Sequence, residues 1–394
     1  MLAYWIYRIF QGLIFFLFLD SLNAWFTWNI NNNLKLLYLV ISIGFYITYR
    51  RNFLFKKYLP HIILYISAIL SLGIELNFGG VFGFFCTVFP VCLFIATRNN
   101  FKVNTFRIIT KWWLSILIPS LLLFGLSFII TLPNLGTIQN PYADAYTYTN
   151  YVLLIKGYYY DIRFNSIFLE PGHLGMIIAL FLFAYKFDIT RWEVRYLLLV
   201  ELFTLSLAGY LLVVIGYVFS LIAKGKNFKK FTFYAVMIIV SFYGVAILYN
   251  NGNNLLNVFI IQRLAYDEEK GISGNNRTGE YAYQLLDEKL KKGNIWAGTQ
   301  KKEWEDEYLG AGGKVFFIKY GLISIVLFAM FYLCFLYKAK DRRYVWLFIG
   351  LLVITFFQRA YPYWVAWNLP FIAGIAVNEL EWRVNRLKAS NGKD

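Results

Sequence analysis

The sequence predicts an all-α protein that crosses a membrane many times, and three observations support this fold class. Of the 394 residues, 59% are hydrophobic and 15% are charged, whereas soluble domains carry about 25% charged residues. Apolar runs recur along the whole chain, and a run of about 20 residues is long enough for a helix to cross a bilayer. Lys and Arg gather in the short segments between these runs, as they do on the cytoplasmic side of membrane proteins.

The basic clusters predict the topology. If every cluster stays in the cytoplasm, each intervening stretch must cross the membrane an even number of times. Residues 195–223 are long for one span and short for two, and parity requires two, broken near Ser206 to Gly209 with Gly209 permitting the turn. The basic clusters occupy residues 50–57, 98–111, 186–195, 224–230, 338–343 and 383–393.

The result is a single integral membrane domain over residues 1–394, with about twelve spans and both termini in the cytoplasm. The first apolar run lacks the basic start and the small-residue cleavage site of a signal peptide, so it counts as a span. The predicted spans are 2–19, 34–49, 59–76, 81–97, 112–132, 164–186, 195–207, 209–223, 231–249, 314–337, 344–358 and 364–380.

Two longer loops then face outward. The first, residues 133–163, is rich in Asn and Tyr, and the second, residues 250–313, precedes the last three spans. Within the second loop, "GEYAYQLLDEKLKK" (279–292) has apolar residues at helical spacing, which predicts a short folded helix. A large outer loop of varied sequence is where a water-facing substrate would be handled.

Several function classes are disfavoured by composition. The net charge of +16 follows the membrane-orientation pattern, so it does not indicate nucleic-acid binding. The cysteines lie inside apolar runs and the two histidines, His61 and His173, are far apart in sequence, so neither a disulfide framework nor a metal site is predicted. No phosphate-binding loop, HExxH or DxD motif occurs in the sequence, and we expect no metal and no cofactor.

The stretch "RFNSIFLEPGHLG" (163–175) places charged residues beside an apolar run. Proline favours the first position of a helix, so Pro171 should begin one with Glu170 just outside it. Such a helix start, at the outer mouth of the protein, favours phosphates and carboxylates, and Gly172 leaves room for close approach. Glu170 is then a candidate general base and His173 a candidate proton carrier; alternatively, Glu170 caps the helix and pairs with Arg163.

Further cations face the same side. Arg263 and Arg277 flank a Gly/Asn-rich turn in the second outer loop, and guanidinium groups suit phosphate oxygens. Lys314 and Lys319 lie in "GGKVFFIKYG" at the outer end of a span, and Arg359 lies in "FFQRAYPYW" in the last outer turn. These last three cations are candidates for substrate binding or for anchoring at the membrane interface.

The outer arginines, the glutamate before proline at the mouth of a central span, and the large outer loop before the last three spans resemble the Wzy-type O-antigen and capsular polysaccharide polymerases. These belong to the O-antigen ligase and polymerase superfamily. The likeness covers the layout of most of the chain. Recognisable residues occur only in 163–175, the loop from Gln262 to Glu280, and "GGKVFFIKYGLISI". Arg263 and Gly274 match an arginine-to-glycine spacing associated with the family, whereas Arg163 does not.

The resemblance implies a glycosyltransferase of the bacterial inner membrane that needs neither nucleotide sugar nor metal. It would transfer a growing glycan from undecaprenyl diphosphate to another lipid-linked repeat unit, alongside a flippase and a chain-length regulator of the same pathway. Arg163, Arg263 and Arg277 would bind the diphosphate or glycan, and Glu170 would act as base with His173 in support. Sugar rings could stack on aromatic side chains of the outer loops, such as Tyr158, Tyr159, Trp296 and Trp304.

Two alternatives remain at this point. The ligases of the same superfamily rely on a histidine in the large outer loop, and this chain has none between residues 250 and 313. A flippase or other transporter of lipid-linked sugars should carry ionisable residues deep in several spans, and Glu201 is the main candidate here.

Overall fold

The structure, a computed structural model, is mostly helical. It describes residues 1–30, 32–73, 78–139, 147–157, 162–225, 280–299, 312–337 and 339–391, with short pieces between 237 and 272. The α-helices are α1 (Leu2–Ser21), α2 (Asn32–Tyr49), α3 (Phe55–Leu70), α4 (Phe78–Ala96), α5 (Asn99–Leu126), α6 (Pro171–Ala184), α7 (Trp192–Thr204), α8 (Leu207–Ala223), α9 (Glu280–Lys291), α10 (Gly313–Tyr337), α11 (Arg342–Gln358) and α12 (Val365–Asn391).

Helix length and composition support a membrane-spanning chain. Among the described residues, α1, α5 and α10 are long and apolar enough to cross a membrane. The helices α6 and α8 are apolar but shorter, and most of the predicted span 231–249 lies outside the described residues. The figure of twelve spans therefore stays a prediction.

The ends of the helices sort into two groups. Near one end of the bundle, Asn99 bonds to Glu379, Lys186 to Glu381, and the Ser220 hydroxyl to the Lys186 carbonyl. Two of the basic clusters also make contacts here: Phe53, within 50–57, pairs with Thr97, and Asn99, within 98–111, adjoins α12. At the other end, Trp25 bonds to Ile167 and Ser21 to Ala366. The described basic segments that make these contacts therefore share one end of the bundle.

α6 is the central helix, because all its residues from Pro171 to Ala184 are buried. It packs against α7, α8, α11 and α12. A helix with no polar face is expected at such a position. The predicted start at Pro171 is confirmed, with Glu170 in an extended conformation just before the helix, whereas the helix itself is shorter than the predicted span 164–186.

Residues 195–223, which are long for one span and short for two, form two helices, α7 and α8. The expectation that Gly209 makes the turn is wrong: Leu205 adopts the left-handed conformation (φ 45°), and Gly209 lies inside α8. Ser206 caps α8 by accepting a hydrogen bond from the Gly209 amide at 3.2 Å.

The last turn of α7 would leave carbonyl groups without partners inside the bundle, and such groups are costly away from water. Here a donor reaches each of these carbonyl groups. The Thr204 hydroxyl donates to the Glu201 carbonyl at 2.9 Å, and the Tyr210 hydroxyl donates to the Leu202 carbonyl at 2.6 Å. The Phe164 amide donates to the Phe203 carbonyl at 2.9 Å, and Arg163 Nε donates to the Thr204 carbonyl at 3.2 Å. The helix break is thus a stable feature of the fold.

The first outer loop contains a small antiparallel sheet that was not predicted from the sequence. Its strands are β1 (Thr137–Gln139), β2 (Thr147–Asn150) and β3 (Ile155–Gly157), in the order β1-β2-β3. Tyr148 registers with Gly157, and Asn150 with Ile155. Trp28, Tyr148 and Ile155 form a separate buried cluster beneath the sheet, so this loop is a folded cap.

The second outer loop is also partly folded. α9 confirms the predicted short helix, and its apolar residues Ala282 and Leu285 pack against Val315 and Ile318 of α10. A two-stranded pair follows the π-helical turn Asn257–Ile261, with β4 (Tyr266–Asp267) antiparallel to β5 (Gly271–Ile272).

α10 is interrupted at Gly321, whose φ of +73° is readily adopted by glycine. The loop segment 295–299 fills the interruption. The Leu322 amide donates to the Ile295 carbonyl at 2.9 Å, and the Thr299 amide donates to the Ile318 carbonyl at 2.9 Å. The second outer loop is therefore joined to α10 by backbone hydrogen bonds.

Candidate functional site

The candidate site lies where α6 begins. Glu170 is held there by its own chain, because the residues before it are anchored on several sides. The Ile155 amide donates to the Ser166 carbonyl at 2.8 Å, the Trp25 amide to the Ile167 carbonyl at 3.0 Å, and the Tyr148 hydroxyl to the Leu169 carbonyl at 2.9 Å. The β-sheet cap and the turn after α1 thus position the glutamate.

Glu170 forms an ion pair with Arg359, the residue that follows α11. Their side chains are 24% and 13% exposed, so the pair is partly shielded from water and still accessible. The partner seen for Glu170 is therefore Arg359, and the side chain of Glu170 does not cap α6. Its predicted pairing with Arg163 stays a prediction. A charge-assisted bond of this kind fixes the orientation of both groups.

Arg163 occupies a different place. It is 6% exposed, and its Nε donates to the Thr204 carbonyl at the end of α7. Its neighbour Phe164 donates its amide to the Phe203 carbonyl at 2.9 Å. The geometry gives Arg163 a structural role at the helix break; its predicted contact with a diphosphate stays a prediction.

His173 lies in the first turn of α6 and is 3% exposed. Its ring makes edge contacts with Trp364 and Tyr361, at centroid distances of 5.1 and 6.1 Å. Tyr361 stacks on Trp364 at 4.2 Å with the planes 8° apart. Aromatics beside Arg359 were evident in the sequence, but this stack was not predicted. The three-residue spacing of Tyr361, Trp364 and Trp367 was the available signal.

Gly172 leaves open space at this helix start. No heavy atom lies within 4 Å of where its missing Cβ would be, although the residue itself is buried. The neighbouring Gly175 differs, because an added Cβ would lie 2.9 Å from Glu201 Oε1. The space predicted beside Glu170 therefore exists at Gly172.

The two candidate lysines lie on α10. Lys314 donates to the Tyr283 hydroxyl at 3.3 Å, and its ammonium lies 4.5 Å from the Tyr283 ring centroid. Lys319 precedes the Gly321 interruption, where Gly298 of the outer loop packs against its carbonyl group. Gly312, just before α10, lies close to the Phe357 and Gln358 carbonyls, which brings the start of α10 near Arg359.

Of the remaining predicted residues, Trp296 is described by the structure and the others are not. Trp296 is 58% exposed, and its carbonyl accepts a hydrogen bond from the Ile323 amide. Among the described residues, no group of three or more His, Cys, Asp and Glu side chains is placed to hold a metal ion. Arg263, Arg277, Tyr158, Tyr159 and Trp304 lie outside the described residues.

The chemistry available is thus a carboxylate and a guanidinium in contact, beside a shielded imidazole and a pair of stacked rings. The carboxylate can accept a proton, the guanidinium can stabilise negative oxygen atoms, and flat rings can pack against a sugar. Comparison of the chain with protein-family models, with curated proteins and with solved structures finds no match in any of the three.

Proposed function

We propose that the chain is a polysaccharide polymerase that joins undecaprenyl-diphosphate-linked oligosaccharide units. The observation that carries this proposal is the contact between Glu170 and Arg359 at the start of the buried helix α6. A lipid diphosphate leaving group needs a cation, and an attacking sugar hydroxyl needs a base. Both requirements meet at this pair.

The proposed location is the bacterial inner membrane, with both termini in the cytoplasm and the Glu170 end facing the periplasm. The described basic contacts at the Glu379 end of the bundle support this orientation, since positive segments remain in the cytoplasm. Three membrane-length helices support insertion. The oligosaccharide would then arrive on its lipid at the outer mouth.

In the proposed reaction, the diphosphate of the donor competes with Glu170 for Arg359. This competition releases the carboxylate next to the acceptor sugar. The acceptor hydroxyl oxygen forms a bond to the anomeric carbon of the donor glycan, and its proton passes to Glu170. The bond from that carbon to the diphosphate oxygen breaks with its electron pair, and undecaprenyl diphosphate leaves with its charge stabilised by Arg359.

His173 and the aromatic pair have supporting roles in this proposal. His173 is shielded by Tyr361 and Trp364, where it can hold or relay a proton without direct exchange with bulk water. Arg263, Arg277, Lys314 and Lys319 would bind the diphosphate or the glycan from the second outer loop and α10. The chemistry requires no metal and no cofactor, and a flippase and chain-length regulator are the proposed pathway partners.

The deciding experiment supplies purified protein with lipid-linked repeat units and no nucleotide, and measures glycan length. Longer glycans in wild type and none in Glu170→Ala or Arg277→Ala would support the proposal. Both variants must insert in the membrane as wild type does. Normal chain lengths in both would refute the proposed site, and transfer to lipid A core instead would identify a ligase.

A second candidate is a transporter of lipid-linked sugars, and one observation favours it. Glu201 is 2% exposed within the bundle, next to the helix break at Leu205, and ionisable residues and broken helices at depth are typical of transport sites. The discriminating measurement is passage of a labelled lipid-linked sugar across a vesicle membrane. Passage without glycan elongation would favour the transporter.

A further inference from the structure

A second polar cluster lies at the opposite end of the bundle from Glu170. Along α12, Val365 near the Glu170 site and Glu379 in this cluster are about 20 Å apart, at a rise of about 1.5 Å per residue. It is a small cavity between the first turns of α3 and α5 and the far half of α12. Its polar lining consists of Lys57, Tyr58, His61, Asn99, Lys102 and Glu379. None of these residues belongs to the site described above.

Lys102 is the unusual member of this lining. It is 1% exposed, and its ammonium lies 3.8 Å from the centroid of the Tyr58 ring. Within the part of the chain that the structure describes, the ammonium makes no hydrogen bond and no ion pair within 4.0 Å. An ammonium group carries three donors, and a buried charge is costly unless it is paired and hydrogen-bonded. The Tyr58 ring offers attraction but no hydrogen-bond acceptor.

Glu379, the carboxylate that lines the cavity, is bonded to Asn99 and not to Lys102. Glu379 accepts a hydrogen bond from Asn99 Nδ2 at 2.7 Å, and the Asn99 amide oxygen accepts one from the Tyr58 hydroxyl at 3.3 Å. These bonds hold Glu379, Asn99 and Tyr58 to one another. Lys102, which also lines the cavity, takes no part in these bonds.

The charge of the lining favours an anion. Lys57 lies near the Tyr58 ring at 5.0 Å, so two ammonium groups, Lys57 and Lys102, line the cavity against one carboxylate, Glu379. Lysine is a common phosphate ligand that acts as a point charge. A phosphate oxygen would supply the acceptor that Lys102 lacks.

We propose that this cavity binds a phosphate group, with Lys102 as its main ligand. The phosphate would belong either to the headgroup of an anionic phospholipid or to a soluble phosphate compound. The cavity lies at the end of the bundle where a headgroup would reach it, if the chain is oriented as proposed. The inference does not depend on the polymerase reaction, because it concerns the opposite end of the bundle.

The test uses the full-length purified protein and two probes. Inorganic phosphate is titrated by equilibrium dialysis, and retention of phosphatidylglycerol is counted by native mass spectrometry after transfer from mixed phosphatidylglycerol and phosphatidylcholine nanodiscs. Binding of inorganic phosphate alone identifies a soluble source, and retention of phosphatidylglycerol over phosphatidylcholine identifies a headgroup. Wild-type protein that binds neither probe overturns the proposal.

Lys102→Met removes the charge and keeps an apolar side chain of similar length. We expect binding to weaken by about 10-fold or more, because one charge-assisted hydrogen bond to the phosphate is lost. Lys111→Met is the matched control, because Lys111 is exposed on the same helix and its removal changes the net charge equally. Equal binding by Lys102→Met and Lys111→Met contradicts the proposal.

A further variant keeps Lys102 and reduces the space beside it. Ala376 is buried on α12 and lines the cavity. Ala376→Leu should weaken binding of whichever probe the wild type takes, even if Lys102→Met fails to fold. Unchanged binding in a folded Ala376→Leu variant would place the phosphate elsewhere.

Discussion

Glu170 and Glu201 lie near neighbouring helix ends, but they differ in exposure to solvent and in the partners of their carboxyl groups. Glu170 precedes α6, is partly exposed and is paired with Arg359. Glu201 lies in the last turn of α7, is 2% exposed and has no hydrogen-bond partner for its carboxylate among the described residues. Its oxygens pack instead against Gly175 and Gly209.

The difference separates a group available to a substrate from a group enclosed by the fold. A carboxylate beside an arginine at an open helix start can exchange that partner for a substrate. A carboxyl group enclosed by backbone is out of reach of a substrate. Four predictions test this contrast, beginning with the largest expected effect.

Replacing Glu170 by Gln should lower the rate of glycan elongation by about 10²- to 10⁴-fold, the usual contribution of general acid–base catalysis. Glu201→Gln should leave the rate near that of wild type, because the amide has the same shape and Glu201 touches no proposed substrate. Both rates are measured on lipid-linked repeat units. Comparable losses in the two variants would end the distinction between the two glutamates.

Gly209→Ala should lower the free energy of unfolding by about 1–3 kcal/mol through overpacking. The added methyl group would clash with Glu201 Oε1 and lie 3.0 Å from the Gly175 backbone. Gly172→Ala is the control, since nothing lies within 4 Å of its added methyl. Denaturant titration in micelles measures both; equal stability of the two variants would show that Glu201 moves easily.

Arg359→Lys keeps the positive charge but replaces the planar guanidinium with a single ammonium group. We expect the rate of glycan elongation to fall about 10-fold, because one charge-assisted hydrogen bond is lost. Arg343→Lys makes the same change at an exposed position at the opposite end of α11 and should have no effect. A full rate in Arg359→Lys would mean that charge alone suffices.

Tyr210→Phe should lower the free energy of unfolding by about 1 kcal/mol, the net value of one hydrogen bond. The variant removes the donor to the Leu202 carbonyl at the end of α7, close to Glu201. Tyr196→Phe on the exposed side of α7 removes a hydroxyl that makes no such bond to any residue the structure describes. If thermal unfolding of the two variants coincides, water replaces Tyr210 at the break.

Much of the helical layout follows from local sequence. Pro171 predicts the start of α6 because proline suits the first helical position, and residues 279–292 predict α9 because their apolar spacing is helical. The parity argument from Lys and Arg predicted two helices in residues 195–223, and the structure has α7 and α8 there. In each case the signal acts within one helix or at its ends.

Other features were not predictable from local sequence. The left-handed residue at the break is Leu205 and not Gly209, because the donors that satisfy the α7 carbonyls come from residues 163, 164, 204 and 210 and define where the helix can end. The sheet in the first outer loop is held by Trp28 and by the chain before α6. Its strands are too short to carry a strong periodic signal.

The sequence by itself determined a strongly apolar, helical chain, basic segments that gather between the apolar runs, and a helix start at Pro171 with Glu170 just before it. These properties depend on composition and on residues close together in the chain. Only the tertiary structure decided that Glu170 meets Arg359, 189 residues away, and that Glu201 meets two glycines. Pairing of this kind depends on which helix ends come together, and packing of the whole bundle determines that.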